Sequence, residues 1–513
     1  MSRNELPSNW SIVQLGHASA PSRPRALPNE SQDLPYVGME HVEAHSMRLL
    51  GTVPAVTMKS LGVRFHRGDI LYGRLRPYLN KVWLANIEGV CSSEFIVLPP
   101  SAAFDSRYLS YFLNSAGFVF FAAHLNEGDR PRVNFDQIAQ FPIPAPPRQE
   151  QVGIADEIEK QLTRLDAGIT ALKRVQAQLK RYRSAVLKAA CEGRLVPTEA
   201  EVARREKRDY EPADRLLART LKERRTSWEA EQLAKMKAAG KLPKDDKWKA
   251  KYVEPIAPDT TALPHLPSGW IWSTIDQLCS LVTKGSSPNW QGFDYCASGV
   301  LFIRSQNVGW GLLQLEERVF LPAAFNQKES RSVLAEGDVL LNIVGASIGR
   351  AALATTELAG ANINQAVALI RPVTSLLGAY ILRYILSPLA QQHIHREKVD
   401  VARANLSLAD ISEMPVPLPP SSEQQRIILE VERRLSVGSA TEFALTSNET
   451  RATRLRQAIL KAAFDGSLVP RDSHGRTAAI SNDSNSISAQ EKPLSKQSRS
   501  KSATVVPNMK ATR

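Results

Sequence analysis

The stretch RSAVLKAACEGRLVP, ending at Pro197, recurs 273 residues later as RQAILKAAFDGSLVP, ending at Pro470. Between Arg181–Pro197 and Arg454–Pro470, eleven of seventeen positions are identical, where ordinary residue usage gives about one. This repeat constrains the fold more than any other feature, because it decides what counts as one unit. Towards the N-terminus, FPIPAPPRQEQ (141–151) answers MPVPLPPSSEQ (414–424), and RVNFDQI (132–138) answers NLSLADI (405–411), still at 273. Beyond that the register slides. Tyr108 and Tyr380 are 272 apart, Gly68-Asp69 and Gly337-Asp338 are 269, Tyr36 and Phe302 are 266, and Trp10 and Trp270 are 260. The openings LPSNWSIVQLG (6–16) and LPSGWIWSTIDQL (266–278) complete two copies of one unit.

Each copy has a front that drifts in length and a back that does not. Surface loops tolerate such drift, whereas packed helices that must match a partner do not. The backs read as helices. In EQVGIADEIEKQLTRLDAGITALKRVQAQLKRYRSAVLKAA, Ile158, Leu165, Leu172, Leu179 and Val186 recur at sevens, and Leu162 and Ile169 fill the alternate seam position. Pro146-Pro147 precede this helix and Gly193 follows it, as start and stop signals. The second back keeps Val431, Leu435, Leu445 and Ile459 on its seam, interrupted by Gly438 and Glu442. Two long helices, each with an apolar stripe, are expected to cover one another.

The fronts read as mixed α/β. GDILYGRL and GDVLLNIVG are Gly-Asp turns feeding short strands, SEFIVLPP and NQAVALIRP are further strands, and SRYLSYFLNS and GAYILRYILS are short helices. The expected fold is α+β, with two α/β fronts (1–147 and 266–420) joined by two long helices (148–197 and 421–470). Residues 198–265 read as a charged linker carrying one helix from Pro212, and 471–513 as a basic, disordered tail.

Net charge is +13, from 65 Lys and Arg against 52 Asp and Glu, which points to a polyanionic partner such as nucleic acid. The four cysteines form no CxxC, so neither a zinc site nor a disulfide framework is expected, and a reducing cytoplasm fits. No signal peptide and no membrane-spanning run of apolar residues is read. Nor is a phosphate loop or a dinucleotide fingerprint present. Asp69 and Glu94 invite a metal-nuclease reading, but the second copy has Gln365 where the first has Glu94, so Asp69 and Asp338 read as turn residues. His393 and His395 have no counterpart in the first copy and read as surface residues.

Basic residues that recur are the better candidates for DNA contacts. Lys81 and Arg350 each lie twelve residues after the Gly-Asp aspartate, and Arg130 and Arg403 precede the NF/NL helix start at fixed spacing. Arg74, Arg76 and Arg132 add to the first copy, Arg304 and Lys398 to the second. Matched cations suit phosphates and unmatched ones suit bases, because phosphate contacts position without reading sequence.

The doubled LPxxW openings, GD(I/V)L strands, P(I/V)PxPPxxEQ helix entries and LKAAxxGxLVP exits together resemble the specificity subunit of type I restriction-modification enzymes, over residues 6–470. That resemblance implies two target-recognition domains, each reading one half of a gapped DNA target. It implies that the helices form an antiparallel coiled coil that spaces the readers. It also implies a chain without catalysis of its own that recruits two modification and two restriction subunits. S-adenosylmethionine, ATP and Mg2+ would be used on those partners, with no cofactor in this chain. The alternative class is a coiled-coil scaffold or adhesin with duplicated protein- or glycan-binding domains.

Overall fold

The structure, a computed structural model, describes residues 6–27, 33–58, 60–396 and 405–469, and the side chains of 396 and 437–450 also lie outside that description. Four helices organise it: α1 (Arg148–Cys191), α2 (Glu199–Glu206), α3 (Ala213–Ala238) and α4 (Ser421–Phe464). The two long helices, α1 and α4, have 44 residues each. A proline pair precedes each one, because proline has no N–H to donate and holds the chain extended before the first turn. Each ends at a left-handed glycine, Gly193 (φ 67°) or Gly466 (φ 78°). The following N–H, of Arg194 or Ser467, reaches back to Ala189 or Ala462 at 2.9 Å, which closes the helix on its own last carbonyls.

The chain forms two units that do not coincide with the two sequence copies. One is Met1–Asp166 with Ala452–Arg513, the other Ala167–Arg451. Each holds one front, the start of the long helix leaving that front, and the end of the other long helix. In the first unit Leu460, Ala463 and Phe464 of LKAAF are buried with Ile154, Ile158 and Leu162 of α1 and with Tyr108 and Phe112 of the front. Phe464 meets both rings edge-on, at 5.3 and 5.0 Å. In the second unit Leu187, Ala190 and Cys191 are buried with Ile427, Ile428 and Val431 of α4 and with Tyr380 and Tyr384. The exit motif is therefore repeated because each copy docks on a front, and Arg456 adds an ion pair to Asp166.

Burial along α1 varies with position. Ile158, Leu162 and Val186 are buried, and between them Leu165, Ile169, Leu172, Gln176, Leu179 and Arg183 are half-buried. That spacing alternates four and three along the helix. On α4, Val431 and Ile459 are buried and Leu435 is half-buried, while Leu445 lies outside the described side chains.

Both fronts hang on the same pair of strands. Ser11–Gln14 runs antiparallel to Pro142–Ala145, and Ile271–Thr274 to Pro415–Leu418. Beyond that frame, Ile70–Gly73 lies between Val82–Leu84 and Phe95–Leu98, as Val339–Asn342 lies between Ala351–Leu353 and Val367–Pro372. Two further strands pair in parallel in each copy: Pro35–Val37 with Gly89–Ser92, and Val300–Ile303 with Asn362–Ile363. The second unit adds Cys279–Lys284 to the edge of its central sheet, and the first instead enlarges its other sheet to five strands.

Residues 198–265 are no free linker. Within the second unit α2 is tied to α4 by Glu199, whose carboxylate pairs with Arg426 and whose N–H donates to Glu423, and α3 packs on the core, with Ala213, Leu216 and Leu217 buried and Leu221 against it. Their helical spacing gives α3 one apolar stripe, which needs cover. The expected helix start at Pro212 stands as its N-cap. The tail 471–513 lies outside the described residues.

Candidate nucleic-acid interface

The motifs that mark each copy build a rigid mount. The Trp10 indole donates to the Glu150 carboxylate at 3.0 Å, and Trp270 to Glu423, also at 3.0 Å. LPxxW is thereby tied to the glutamate of PPxxEQ. The next residue, Gln151 or Gln424, donates back to the carbonyl of Pro146 or Pro419 at 2.9 and 2.8 Å. Tyr108 and Tyr380 hold the same strand through the carbonyls of Pro144 and Pro417, at 2.9 and 2.6 Å. Glu423 also accepts from the Glu199 N–H at 2.8 Å, yet burial outweighs these donors and pushes its carboxyl up to about 7.

The Gly-Asp aspartates are turn residues in both copies, as the sequence indicates. Asp69 accepts from the His66 N–H at 2.8 Å and Asp338 from the Ala335 N–H at 2.7 Å. Both are buried and each is held bidentately by an arginine that sequence reasoning missed. Arg23 binds Asp69 at 2.5 and 2.7 Å, and Arg371 binds Asp338 at 2.7 and 2.8 Å. The two arginines sit at unrelated positions, so the repeat carried no signal for them. Glu94 is likewise engaged, by Arg132 at 2.9 Å. Among the described residues no group of three His, Cys, Asp or Glu side chains converges as a metal site. His395 is exposed and His393 half-buried.

On this mount three segments converge in each copy. The first is a short turn at Met39–His41 or Ser305–Asn307, closed by the Gly38 N–H on His41 and by the Arg304 N–H on Asn307, both at 2.9 Å. The second is the loop 74–81 or 343–350. It carries two left-handed residues, Arg76 (φ 52°) and Asn80 (φ 44°) in one copy and Gly345 (φ 70°) and Gly349 (φ 86°) in the other. The third is the stretch leading into a short helix, at 131–133 or 405–406, which bridges the loop through Leu75–Arg132 and Val344–Asn405.

Side chains hold the turn at equivalent carbonyls, from the loop in the first copy and from the end of the strand before the loop in the second. The Lys81 ammonium donates to the Met39 carbonyl at 2.5 Å, and the Asn342 amide to the Ser305 carbonyl at 2.8 Å.

Seven of the nine DNA-contact candidates fall on these segments or beside them. Arg74, Arg76 and Lys81 lie on the loop, half-buried; Arg132 is on the stretch leading into the short helix and Arg130 is exposed just before it. In the second copy Arg304 opens the turn and Arg350 closes the loop, both half-buried. Arg304 also donates to the Glu317 carbonyl at 3.2 Å. The Nε atoms of Arg74, Arg76 and Arg304 are buried without an acceptor among the described residues. Lys398 and Arg403 lie outside the described residues.

Comparison with known proteins bears on what such paired loops do. The family model for the type I restriction modification DNA specificity domain matches twice, over residues 7–181 and 267–431. The chain therefore belongs to the type I restriction-modification specificity family and carries two DNA specificity domains.

Among curated relatives, the EcoBI specificity subunit of Escherichia coli is 26% identical over 64% of this chain and 58% of its own length. The EcoAI specificity subunit of Escherichia coli is 20% identical over 90% of this chain and 83% of its own. A chain solved in work on complex assembly and conformational transition of the type I R-M system shares the fold at a TM-score of 0.56. It is 20% identical, over 90% of this chain and all of that one.

Proposed function

We infer that this chain is the sequence-reading subunit of a type I restriction-modification complex. Each front reads one half of a bipartite DNA target through its three converging segments, and α1 and α4 set the unread gap. One observation carries this reading: the same basic, backbone-matched convergence is built twice on one mount, with side chains that differ between the copies. Matched backbone fixes where DNA meets each loop, while the differing side chains let the halves be unrelated sequences. The unsatisfied arginine Nε atoms support the same reading, since a buried donor without an acceptor is costly unless a partner supplies one.

The chain does no chemistry itself. It assembles in the cytoplasm with two modification and two restriction subunits, which use S-adenosylmethionine, ATP and Mg2+. Among the described residues no helix is long and apolar enough to cross a membrane.

Selection of duplexes from a random library by the complex of this chain with its modification subunits tests the reading. Two short motifs at a fixed separation, with no preference between them, are expected. A single uninterrupted motif, or no enrichment, contradicts it.

A further inference from the structure

The end of α3 and the chain returning from it form a basic tip that the reading above leaves unused. Gly240 (φ 68°) reverses the chain, and the Lys241 N–H returns to the Met236 carbonyl at 2.9 Å. On the way back Trp248 stacks on Trp228 at 6.1 Å, and Tyr252 meets Trp228 edge-on at 5.3 Å. Arg224 then ties this aromatic knot to the second front. It donates to the Tyr252 hydroxyl at 2.7 Å, the Asp276 carboxylate at 2.9 Å and the Cys279 carbonyl at 2.8 Å. The tip is thus held in place.

Its charge is segregated. Residues 235–251 hold seven lysines against two aspartates, while the rest of 198–265 holds nine basic residues against eleven acidic ones. Along the body of α3 the arginines are neutralised locally, Arg219 by Glu211 and Glu223, Arg225 by Glu229 and Glu254. At the tip, Lys237, Lys241, Lys244 and Lys251 are exposed and have no acidic partner among the described residues.

Lys235 pairs with Glu231, Lys247 with Asp245, and Lys249 with Glu229 and Asp246, so the other four lysines are an excess that local carboxylates do not balance. Protein interfaces favour aromatic residues and arginine at their centre and disfavour lysine. Here the aromatic rings are turned into the knot, and the tip has no arginine. Lysine is a compact point charge that accepts a phosphate from many directions.

We propose that Lys235–Lys251 is a sequence-independent contact to the DNA sugar-phosphate backbone, separate from the two reading loops. The proposal rests on the DNA-reading assignment above and adds to it a source of affinity without specificity. Binding then depends more steeply on salt than the reading loops alone dictate, by about 0.9 in the log–log slope per phosphate engaged.

The test uses the full chain in complex with its modification subunits, carrying Lys237, Lys241, Lys244 and Lys251 all replaced by Gln. Affinity for the selected target and for an unrelated duplex is measured across a salt series. The expected result is an equal fold-loss on both duplexes and a slope shallower by about 0.9 for each phosphate no longer neutralised, up to about 3.6. The matching Lys→Arg variant keeps the original slope.

An unchanged slope, or a loss confined to the target, overturns the proposal. So does loss of the modification subunits with the DNA slope unchanged, which assigns the tip to a protein partner. Failure of the unmutated complex to prefer its target over the unrelated duplex indicts the reading assignment instead, and the slope still judges the tip.

Discussion

The two copies differ most where they do the same work. In both, a buried aspartate closes the turn before the central strand, but Arg23 neutralises it in the first copy and Arg371 in the second. The left-handed loop positions are Arg76 and Asn80 in one copy and glycines in the other, although a side chain there costs about 1 kcal/mol or more. The helix exit offers Phe464 to the first front and Cys191 to the second. What stays identical is the tryptophan–glutamate tie. Residue identity is retained where a side chain closes the mount, and only backbone shape is retained where the loops face outward. If each front reads its own half of a target, unrelated half-sites require that division.

The sharpest test of equivalence removes the arginines. Arg23→Met and Arg371→Met each leave a buried carboxylate without its cation, and each should destabilise its own unit by about 3–5 kcal/mol. Chemical denaturation followed in both units reads this, and a large effect in only one breaks the comparison.

Next come the helix exits. Phe464→Ala should cost the first unit about 3–5 kcal/mol, since it removes a ring packed between Tyr108 and Phe112. Cys191→Ala, at the matching position, should cost about 1 kcal/mol, because so little volume is removed. Equal costs would mean that the two exits dock alike despite their different sizes.

A smaller effect concerns the second tie and depends on pH. Burial raises the Glu423 carboxyl from 4.5 to about 7, so the folded chain keeps a proton that the unfolded chain releases. The stability this contributes is fully present below about pH 4.5 and is lost as pH rises through about 7. Stability of the second unit should therefore fall over that window, and Glu423→Gln should flatten the slope. A slope that persists in the variant assigns it to another group.

Much of this arrangement is legible in the sequence, and the limits are physical. Repetition exposes the long helices, the strand after each Gly-Asp turn and the short helices containing Tyr108 and Tyr380, because packing keeps their spacing. It exposes the motifs but not their purpose: that Trp10 reaches Glu150 across 140 residues is a tertiary fact. Arg23 and Arg371 are hidden since they occupy unrelated positions. Residues 198–265 read as linker because charge dominates their composition, whereas the stripe of Ala213, Leu216 and Leu217 that folds them down is short. The sequence offers the DNA-contact candidates singly, and only the fold brings the loop, the turn and the helix entry together.

The central claim is that each front reads its own half of the target. Its most direct test replaces Leu15–Arg130 with the front of another family member, keeping Trp10, the strand Ser11–Gln14 and everything from Pro131 onward. Methylated-base mapping in cells that carry this hybrid with its modification subunits then reports the sequence recognised. The account predicts that one half of the target changes while the other half and the gap stay as they were. A change in both halves, or in neither, contradicts it.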